Sequence, residues 1–346
     1  MKKNNKGGFV PGIIGAGSFG TALAVNFAKY TDKVYLKCRN PEFAKKLQQS
    51  RQNFDYLPGI ALKENIIIED TYEPVFKNAN IIFLVVPSLA LKSTLQEIKR
   101  YDAQYDFSEY IFINTAKGVG LNTLEMPHEV FSDILGKKML ESYAMLSGPS
   151  FAAEVAVGLP TAVCIASSND LLLADIKDFF KNNQNFRIYT LHDVKGLELG
   201  GALKNIIALA AGMSDGLKLG YNARAALLTR GIAEITRFGE AMGADRQTFA
   251  GLSGLGDLIL TSTSDLSRNR TVGLKIAQGI SLDSITHNMK MIAEGVTTAK
   301  SVHILAKQKN IYMPITEIVY LVLYEGLKPH DAIKMLLKRD IKNEFD

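Results

Sequence analysis

A glycine-rich hexad near the start of the chain constrains the fold more than any other feature. The hexad GAGSFG, residues 15–20, follows an apolar run at residues 10–14 and leads into a helical pattern at residues 21–30. Strand, glycine turn and helix in this order are typical of dinucleotide folds, because the glycines admit a tight turn, a nearby pyrophosphate and close helix packing. An ordinary structural turn is the alternative. The predicted cofactor contacts are Gly15, Gly17 and Gly20.

Short apolar runs rich in β-branched residues recur through the first half of the chain, and helical patterns such as residues 89–100 separate several of them. The runs cover residues 10–14, 34–36, 66–68, 81–86, 110–113, 143–146 and 162–166. This alternation predicts a parallel sheet with helices on both faces, because parallel strands need long crossovers. Pro11 cannot donate a hydrogen bond to a sheet, so we expect the first strand to begin at or just after it.

Helical patterns replace the strand-like runs after about residue 190. They cover residues 194–213, 222–242, 271–278, 293–308, 315–325 and 328–338. A chain of 346 residues also exceeds one ordinary hydrophobic core. We therefore predict an α/β, Rossmann-like, NAD(P)-binding domain at residues 1–190. We predict an all-α domain at residues 191–346, where Lys204 and the segment at residues 267–270 are the candidates for catalysis and substrate binding.

Composition and charge exclude several classes of protein. The formal net charge of +5 is mild and no long Lys/Arg run occurs, so we expect a small anionic substrate and no nucleic acid. Cys38 and Cys164 have no Cys or His neighbours at metal-ligand spacing, which predicts a reduced protein without a metal site. No apolar run approaches the roughly 20 residues of a membrane span. We expect a cytoplasmic homodimer that does not insert into membranes.

The residues about twenty positions beyond the glycines bear on the choice of cofactor. An NAD-preferring enzyme places Asp or Glu there to bind the ribose hydroxyls, whereas this chain has Lys37, Cys38, Arg39 and Asn40. A guanidinium suits a 2′-phosphate. This segment therefore favours NADP(H), with Arg39 as its contact, and leaves NAD(H) possible. The alternative is that Arg39 is a solvated charge.

Two lysines have sequence neighbours that make them candidates for a role in catalysis. Lys117 stands between Ala116 and Gly118 after a predicted strand. Its ammonium group could lie near a nicotinamide or the substrate, or it could be a solvated lysine. Lys204 shares one helical face with small residues, which are Gly200, Gly201, Ala208, Ala211 and Gly212. Small side chains let protein backbone or a ligand approach, so Lys204 is a candidate proton donor to a carbonyl oxygen. A solvated helix lysine is the alternative.

A third cluster combines arginines with small polar residues. The segment SRNR, residues 267–270, stands just before a helical pattern and supplies guanidinium forks beside Ser267 and Asn269. This combination is suited to phosphate, although a helix cap with surface charges is the alternative. No complete Gly-x-Ser-x-Gly motif and no paired histidine spacing supports hydrolytic or metal chemistry.

Taken together, these motifs resemble the bacterial NAD(P)+-dependent glycerol-3-phosphate dehydrogenases over almost the whole chain. The matching stretches are GAGSFGTALA from Gly15, NTAKG from Asn114, SGPSFAAEV from Ser147, LPTAV from Leu159, GALKNIIALAAGMSDGLKLGYNARAALLTRG from Gly201, GLSGLGDLILTSTSDLSRNR from Gly251 and AEG from Ala293. The resemblance implies interconversion of dihydroxyacetone phosphate and sn-glycerol 3-phosphate, which supplies phospholipid synthesis. The rivals are another two-domain NADP-dependent keto- or hydroxyacid reductase and a non-catalytic dinucleotide sensor.

The resemblance also implies a role for individual residues. The implied cofactor contacts are Ser18, Phe19, Arg39, Lys117, Ala152, Arg268, Ile292 and Glu294. The implied substrate contacts are Lys117, Gly148, Ser150, Lys204, Asp257, Ser267, Arg268 and Asn269. Among them Lys204 would transfer the proton, and Lys117 would touch both cofactor and substrate and stabilise the developing negative charge. Phe19 stands where the family often has Trp or Tyr and preserves an aromatic plane.

Overall fold

The computed structural model describes residues 8–120, 124–287, 289, 293–337 and 344. The chain forms two compact units. The first comprises Met1–Lys117 and Glu125–Glu198, and the second comprises Gly118–Leu124 and Leu199–Asp346. The division predicted from the sequence, at residues 1–190 and 191–346, differs from these units in two segments. It places residues 118–124 in the first domain and residues 191–198 in the second. The predicted division remains a proposal for the boundary between two separately folding domains.

The described part of the first unit contains an eight-stranded sheet. The strands are β1 Pro11–Ile14, β2 Val34–Lys37, β3 Ile66–Glu69, β4 Ile81–Leu84, β5 Ile111–Asn114, β6 Tyr143–Ser147, β7 Thr161–Ala166 and β8 Phe186–Leu191. Their spatial order is β3-β2-β1-β4-β5-β6-β7-β8. All neighbouring pairs are parallel except β6 and β7, which are antiparallel. The predicted parallel sheet is thus confirmed apart from one pair of strands.

The first strand begins at Pro11, as predicted, and Pro11 stands opposite Ile81 of β4. Strand β8 escapes the sequence analysis because Arg187 and Thr190 interrupt its apolar pattern. The helices of this unit are α1 Ser18–Phe27, α2 Pro41–Ser50, α3 Glu73–Asn78, α4 Ser88–Lys99, α5 Pro127–Leu135, α6 Ala152–Val157 and α7 Asp170–Phe180. Short 3₁₀ turns occupy Phe107–Glu109 and Lys137–Ser142. These elements confirm the α/β, Rossmann-like class.

The described part of the second unit contains helices and no strand, which confirms the all-α prediction. The helices are α8 Val194–Gly216, whose first residues belong to the first unit, α9 Gly220–Ala241, α10 Arg246–Ala250, α11 Asp257–Thr263, α12 Arg268–Ala277, α13 Leu282–His287, α14 Glu294–Gln308, α15 Pro314–Tyr324 and α16 Pro329–Leu337. A π-helical turn at Leu252–Gly256 connects α10 to α11. Helices α10, α11 and α13 are short and were not predicted.

Protein backbone packs against the small-residue face of α8. A Cβ atom added to Gly212 would lie 2.0 Å from the carbonyl oxygen of Arg270 in α12. A Cβ atom on Gly200 would lie 2.9 Å from the carbonyl oxygen of Ser253 in the π-helical turn. Glycine is therefore needed at both positions, because any side chain there would separate the elements. The small residues bring the start of α12 and the π-helical turn close to Lys204.

Candidate active site

Four of the segments that carry predicted site residues lie at one edge of the first unit's sheet. Strands β1, β2, β4, β5 and β6 run parallel, so their carboxyl ends meet there. The glycine hexad follows β1, Arg39 follows β2, and Lys117 follows β5. Strand order reverses between β1 and β4, the place where open α/β sheets bind ligands.

Each glycine of the hexad has a distinct structural role. Gly15 has a φ of +115°, and a Cβ atom there would lie 2.2 Å from the carbonyl oxygen of Val85. A Cβ atom on Gly20 would lie 1.8 Å from the carbonyl oxygen of Gly15. At Gly17, directly before α1, an added Cβ atom would meet nothing within 4 Å. The turn is therefore closed on its protein side and open beside the helix N-terminus, which fits a pyrophosphate.

A loop that is distant in sequence stabilises the glycine turn through hydrogen bonds. Asn53, which is 1% exposed, donates from Nδ2 to the carbonyl oxygen of Ala16 at 3.1 Å and to Oγ1 of Thr21 at 2.8 Å. The hydroxyl of Ser18 donates to the carbonyl oxygen of Tyr56 at 2.6 Å. Phe19 is partly buried against the core of the first unit. Sequence reasoning missed Asn53, because no local pattern connects it to the hexad.

The two cations after the glycine turn have different surroundings. Arg39 is exposed directly after β2, which is an inner strand between β1 and β3. Lys37 is 5% exposed, with its Nζ 3.9 Å from the centre of the Tyr72 ring, and burial lowers its pKa. Asn40 caps α2 by accepting from the backbone N–H of Phe43. Arg39 is therefore the cation of this segment that is open to solvent.

Three predicted substrate contacts cluster after β5 and β6. Lys117 donates from Nζ to the carbonyl oxygen of Gly148 at 3.2 Å, and the Ser150 hydroxyl donates to the same oxygen at 3.0 Å. Gly148 has a φ of +139°, and a Cβ atom there would lie 3.0 Å from Cα of Val163. The turn therefore requires glycine. Ala152, the predicted cofactor contact nearby, is the first residue of α6.

Lys204 is buried in the second unit with a carboxylate and a hydroxyl. Its side chain is 8% exposed, and its Nζ donates to Oδ1 of Asp257 at 2.7 Å and to Oγ1 of Thr261 at 2.6 Å. Asp257 is the first residue of α11, directly after the π-helical turn. The alternative of a solvated lysine is therefore wrong for Lys204. Thr261 was missed because only the fold brings it to the lysine.

The side chain of Asn269 connects three helices of the second unit. Its Nδ2 donates to Oδ1 of Asn205 at 2.9 Å, and its Oδ1 accepts from the backbone N–H of Gly295 at 3.0 Å. Asn205 follows Lys204 in α8, so the side chain that Asn269 contacts and the lysine lie in the same turn of that helix. Ser267 caps α12 through its hydroxyl, which accepts from the backbone N–H of Arg270. Asn205 was not predicted.

The two arginines of the SRNR segment differ in their exposure and in their contacts with carboxylates. Arg270 is bound by carboxylates, since its Nε lies 2.7 Å from Asp215 and its Nη1 lies 2.6 Å from Asp265. Arg268 is the first residue of α12 and is exposed. Partial desolvation lowers the pKa of its guanidinium, and the charge of Glu294 opposes that shift. Arg268 is therefore exposed, whereas the guanidinium of Arg270 is paired with two carboxylates.

The structure also bears on the predictions for Ile292, for a metal site and for a membrane span. Ile292, a predicted cofactor contact, lies outside the described residues. Among the residues that are described, no group of three or more His, Cys, Asp and Glu side chains could hold a metal ion. No helix in that part of the chain is long and apolar enough to cross a membrane.

Known proteins provide an independent comparison. The family model for the N-terminus of NAD-dependent glycerol-3-phosphate dehydrogenase matches residues 12–172, and the model for the C-terminus matches residues 193–334. Glycerol-3-phosphate dehydrogenase (NAD(P)+) of Geobacter metallireducens is 46% identical over 333 residues, which are 96% of this chain and 98% of the relative. The relative from Maridesulfovibrio salexigens is 45% identical over 96% of this chain and 99% of its own length. The crystal structure of glycerol-3-phosphate dehydrogenase from Coxiella burnetii has a TM-score of 0.89 and 37% identity, and the match covers 96% of this chain and 99% of that one.

Proposed function

The chain belongs to the NAD-dependent glycerol-3-phosphate dehydrogenase family, and from this we propose that it reduces dihydroxyacetone phosphate to sn-glycerol 3-phosphate, with NADPH as the preferred reductant. Dependence on NAD(P) follows from the family, and the preference for the phosphorylated cofactor rests on Arg39. The observation that carries the reaction is the buried pair of Lys204 and Asp257, because it sets a cation with transferable protons inside the helical unit. The product would supply phospholipid synthesis.

We propose that the glycine turn binds the cofactor's pyrophosphate. The open side of Gly17 and the start of α1 offer backbone donors there, and Arg39 would bind the ribose 2′-phosphate. NADH would bind without that last contact. The remaining proposed cofactor contacts are Ser18, Phe19, Lys117, Ala152, Arg268, Ile292 and Glu294.

In the proposed mechanism two lysines handle the charge that develops on the ketone oxygen. The bound nicotinamide supplies the hydride that reduces the ketone carbon. Lys204 donates a proton from Nζ to the carbonyl oxygen, and the adjacent Asp257 carboxylate favours the ammonium form from which that proton comes. Lys117 stabilises the same developing negative charge with its own ammonium.

We propose that the remaining polar residues orient the substrate. Arg268 offers a guanidinium fork to the phosphate, with Ser267 and Asn269 beside it at the start of α12. Gly148 and Ser150 bind the substrate near Lys117. Binding energy from the phosphate, which does not react, holds the ketone in place for reduction.

We also propose that the protein works in the cytoplasm as a homodimer. Cys38 and Cys164 are buried and form no disulfide, which suits a reducing compartment. Fractionation of cells would test the compartment. Sedimentation velocity of the purified protein would test the dimer, because a monomer sediments more slowly than a dimer of the same chain.

A substrate panel tests the proposed reaction against its rivals. Oxidation of NADPH and of NADH is followed by nicotinamide absorbance with dihydroxyacetone phosphate, unphosphorylated dihydroxyacetone and a set of 2-keto acids. We expect rapid oxidation with dihydroxyacetone phosphate and a higher kcat/KM with NADPH. Activity confined to the keto acids would instead indicate a keto-acid reductase, and tight NADPH binding without turnover of any substrate would indicate a sensor.

A further inference from the structure

A buried carboxylate at the start of α8 accepts hydrogen bonds from two other elements of the first unit. Glu198 is 1% exposed. Its Oε1 accepts from the Tyr143 hydroxyl at 2.7 Å and from the backbone N–H of His128 at 2.9 Å, and its Oε2 lies 2.6 Å from Nδ1 of His128. It therefore satisfies a donor at the start of α5 and the buried hydroxyl at the start of β6. The mechanism above gives Glu198 no role.

The hydrogen bonds continue from Tyr143 to the segment that carries Lys117. The amide Nδ2 of Asn114, the last residue of β5, donates to the Tyr143 hydroxyl oxygen at 3.1 Å. The amide Oδ1 of Asn114 accepts from the backbone N–H of Ala116 at 3.2 Å. Asn114 and Tyr143 are each 1% exposed or less, so water does not replace these bonds readily. We call the series Glu198, Tyr143, Asn114 and the N–H of Ala116 the relay.

The carboxylate determines the direction of every hydrogen bond in the relay. An ionised carboxylate only accepts, so the Tyr143 hydroxyl must donate its single proton to Glu198. The hydroxyl oxygen is then an acceptor for Asn114, which requires the NH₂ side of the amide to point toward Tyr143. The amide oxygen is thereby left facing Ala116. This orientation closes the turn between Asn114 and Ala116 that immediately precedes Lys117.

The second side-chain partner of Glu198 is the imidazole of His128. Burial alone would lower the pKa of His128, but the hydrogen bond and the charge of Glu198 outweigh it, so the pKa of His128 is raised. Glu129 acts in the same direction and Lys195 opposes it. The contact with His128 occupies Oε2 of Glu198, and Oε1 is the oxygen that accepts from Tyr143.

We propose that Glu198 is a positioning residue for Lys117 and acts through Tyr143 and Asn114. The inference rests on the proposed role of Lys117 in the reaction. Glu198 touches neither substrate nor cofactor in this account. It holds one conformation of the turn after β5, and that conformation directs the Lys117 side chain toward Gly148 and Ser150. A small displacement of a charge-stabilising group can cost about 10²-fold in rate.

The first test removes the middle of the relay with Tyr143→Phe, which keeps the ring and deletes one hydroxyl. Tyr110→Phe is the matched control, since Tyr110 is equally buried in the same unit and its hydroxyl donates to the carbonyl oxygen of Phe76, outside the relay. Both variants are also made in a Lys117→Ala background. The measurements are kcat and KM for dihydroxyacetone phosphate, the NADPH dissociation constant and the melting temperature.

We expect Tyr143→Phe to lower kcat/KM for dihydroxyacetone phosphate by about 10- to 100-fold, with most of the loss in kcat. In the Lys117→Ala background the same substitution should cost less than about 3-fold, because the group that it positions is gone. Tyr110→Phe should leave kcat/KM unchanged in both backgrounds. Equal losses in the two backgrounds, or no loss in either, would overturn the positioning role. If Lys117→Ala itself has no effect, the proposed function of Lys117 fails instead.

The second test changes Glu198 itself. Glu198→Gln retains an oxygen that can accept from Tyr143, whereas Glu198→Leu has a similar size and no acceptor. We expect Glu198→Gln to stay within about 5-fold of the wild type in kcat/KM and Glu198→Leu to match Tyr143→Phe or fail to fold. Glu198→Gln therefore supplies the result if the leucine variant is insoluble. A loss in Glu198→Gln as large as that in Tyr143→Phe would contradict a role based on hydrogen-bond direction.

Discussion

The Nζ of Lys204 lies 2.7 Å from Oδ1 of Asp257, and the two side chains are 8% and 2% exposed. A buried ion pair of this kind has a structural consequence apart from any chemistry. Loss of one partner leaves an uncompensated charge in a poorly solvated site, which is strongly destabilising. Lys204 variants must therefore be tested for stability as well as for activity.

The first prediction concerns that stability. Lys204→Met should lower the free energy of unfolding by about 3 kcal/mol, because the charge of Asp257 then lacks its partner. Adding Asp257→Asn should restore part of the loss, since a neutral amide needs no counter-charge. Urea denaturation of the wild type, both single variants and the double variant gives the coupling energy. Strictly additive losses would show that the two side chains do not interact energetically.

The second prediction concerns the cofactor. Arg39→Asp should shift preference from NADPH toward NADH, because a carboxylate accepts from ribose hydroxyls and repels a 2′-phosphate. The measurement is the ratio of kcat/KM for the two reduced cofactors. Lys37→Met is a useful comparison, since Lys37 is buried against Tyr72 and should influence stability more than this ratio. An unchanged ratio in Arg39→Asp would mean that other residues recognise the ribose.

The third prediction separates the two arginines at the start of α12. Arg268→Lys should greatly lower kcat/KM for dihydroxyacetone phosphate, because an ammonium cannot reproduce a two-pronged guanidinium contact. Unphosphorylated dihydroxyacetone should lose much less. Arg270→Lys is the control and should mainly lower the melting temperature, since Asp215 and Asp265 already bind Arg270. NADPH affinity is titrated separately for each variant, and equal proportional losses for both ketones in Arg268→Lys would rule out a phosphate contact.

The fourth prediction concerns pH. The pKa of His128 is raised in the folded chain above its ordinary value of 6.5, so folding favours the protonated form. The resulting stabilisation is fully present below the unfolded pKa and is lost as the pH rises through the higher folded pKa. The stability advantage of the wild type over His128→Asn should therefore be largest under mildly acidic conditions and shrink toward alkaline pH. Denaturant titrations across this range measure it, and a constant difference would mean that folding leaves the pKa of His128 unchanged.

Local patterns in the sequence predicted much of this architecture, for reasons that the structure makes visible. The glycine hexad was recognisable because Gly15 and Gly20 meet backbone at distances that no side chain allows. The small-residue face around Lys204 was recognisable for the same reason. The helical second unit followed from its periodicity, and only the short helices α10, α11 and α13 were missed, because one or two turns give too few apolar repeats to recognise.

Partners that the fold brings together from distant segments could not be predicted in this way. Asn53 braces the glycine turn from 37 positions away in sequence, and Thr261 reaches Lys204 from 57 positions away. The pairing of Glu198 with Tyr143 spans 55 positions. Strand β8 was missed because Arg187 and Thr190 interrupt its apolar pattern, so that it resembles an exposed segment as much as the last strand of a sheet.

If Lys204 donates the proton when dihydroxyacetone phosphate is reduced, removal of its ammonium group must slow turnover. The turnover number of Lys204→Met measures this effect. The variant is assayed by nicotinamide absorbance at saturating NADPH and substrate, at a temperature where denaturation shows it to be folded and titration shows NADPH binding. Loss of one general acid predicts a fall in kcat of about 10²- to 10⁴-fold with little change in NADPH affinity. A folded, NADPH-binding variant whose kcat stays within a few-fold of the wild type would show that Lys204 is not the proton donor.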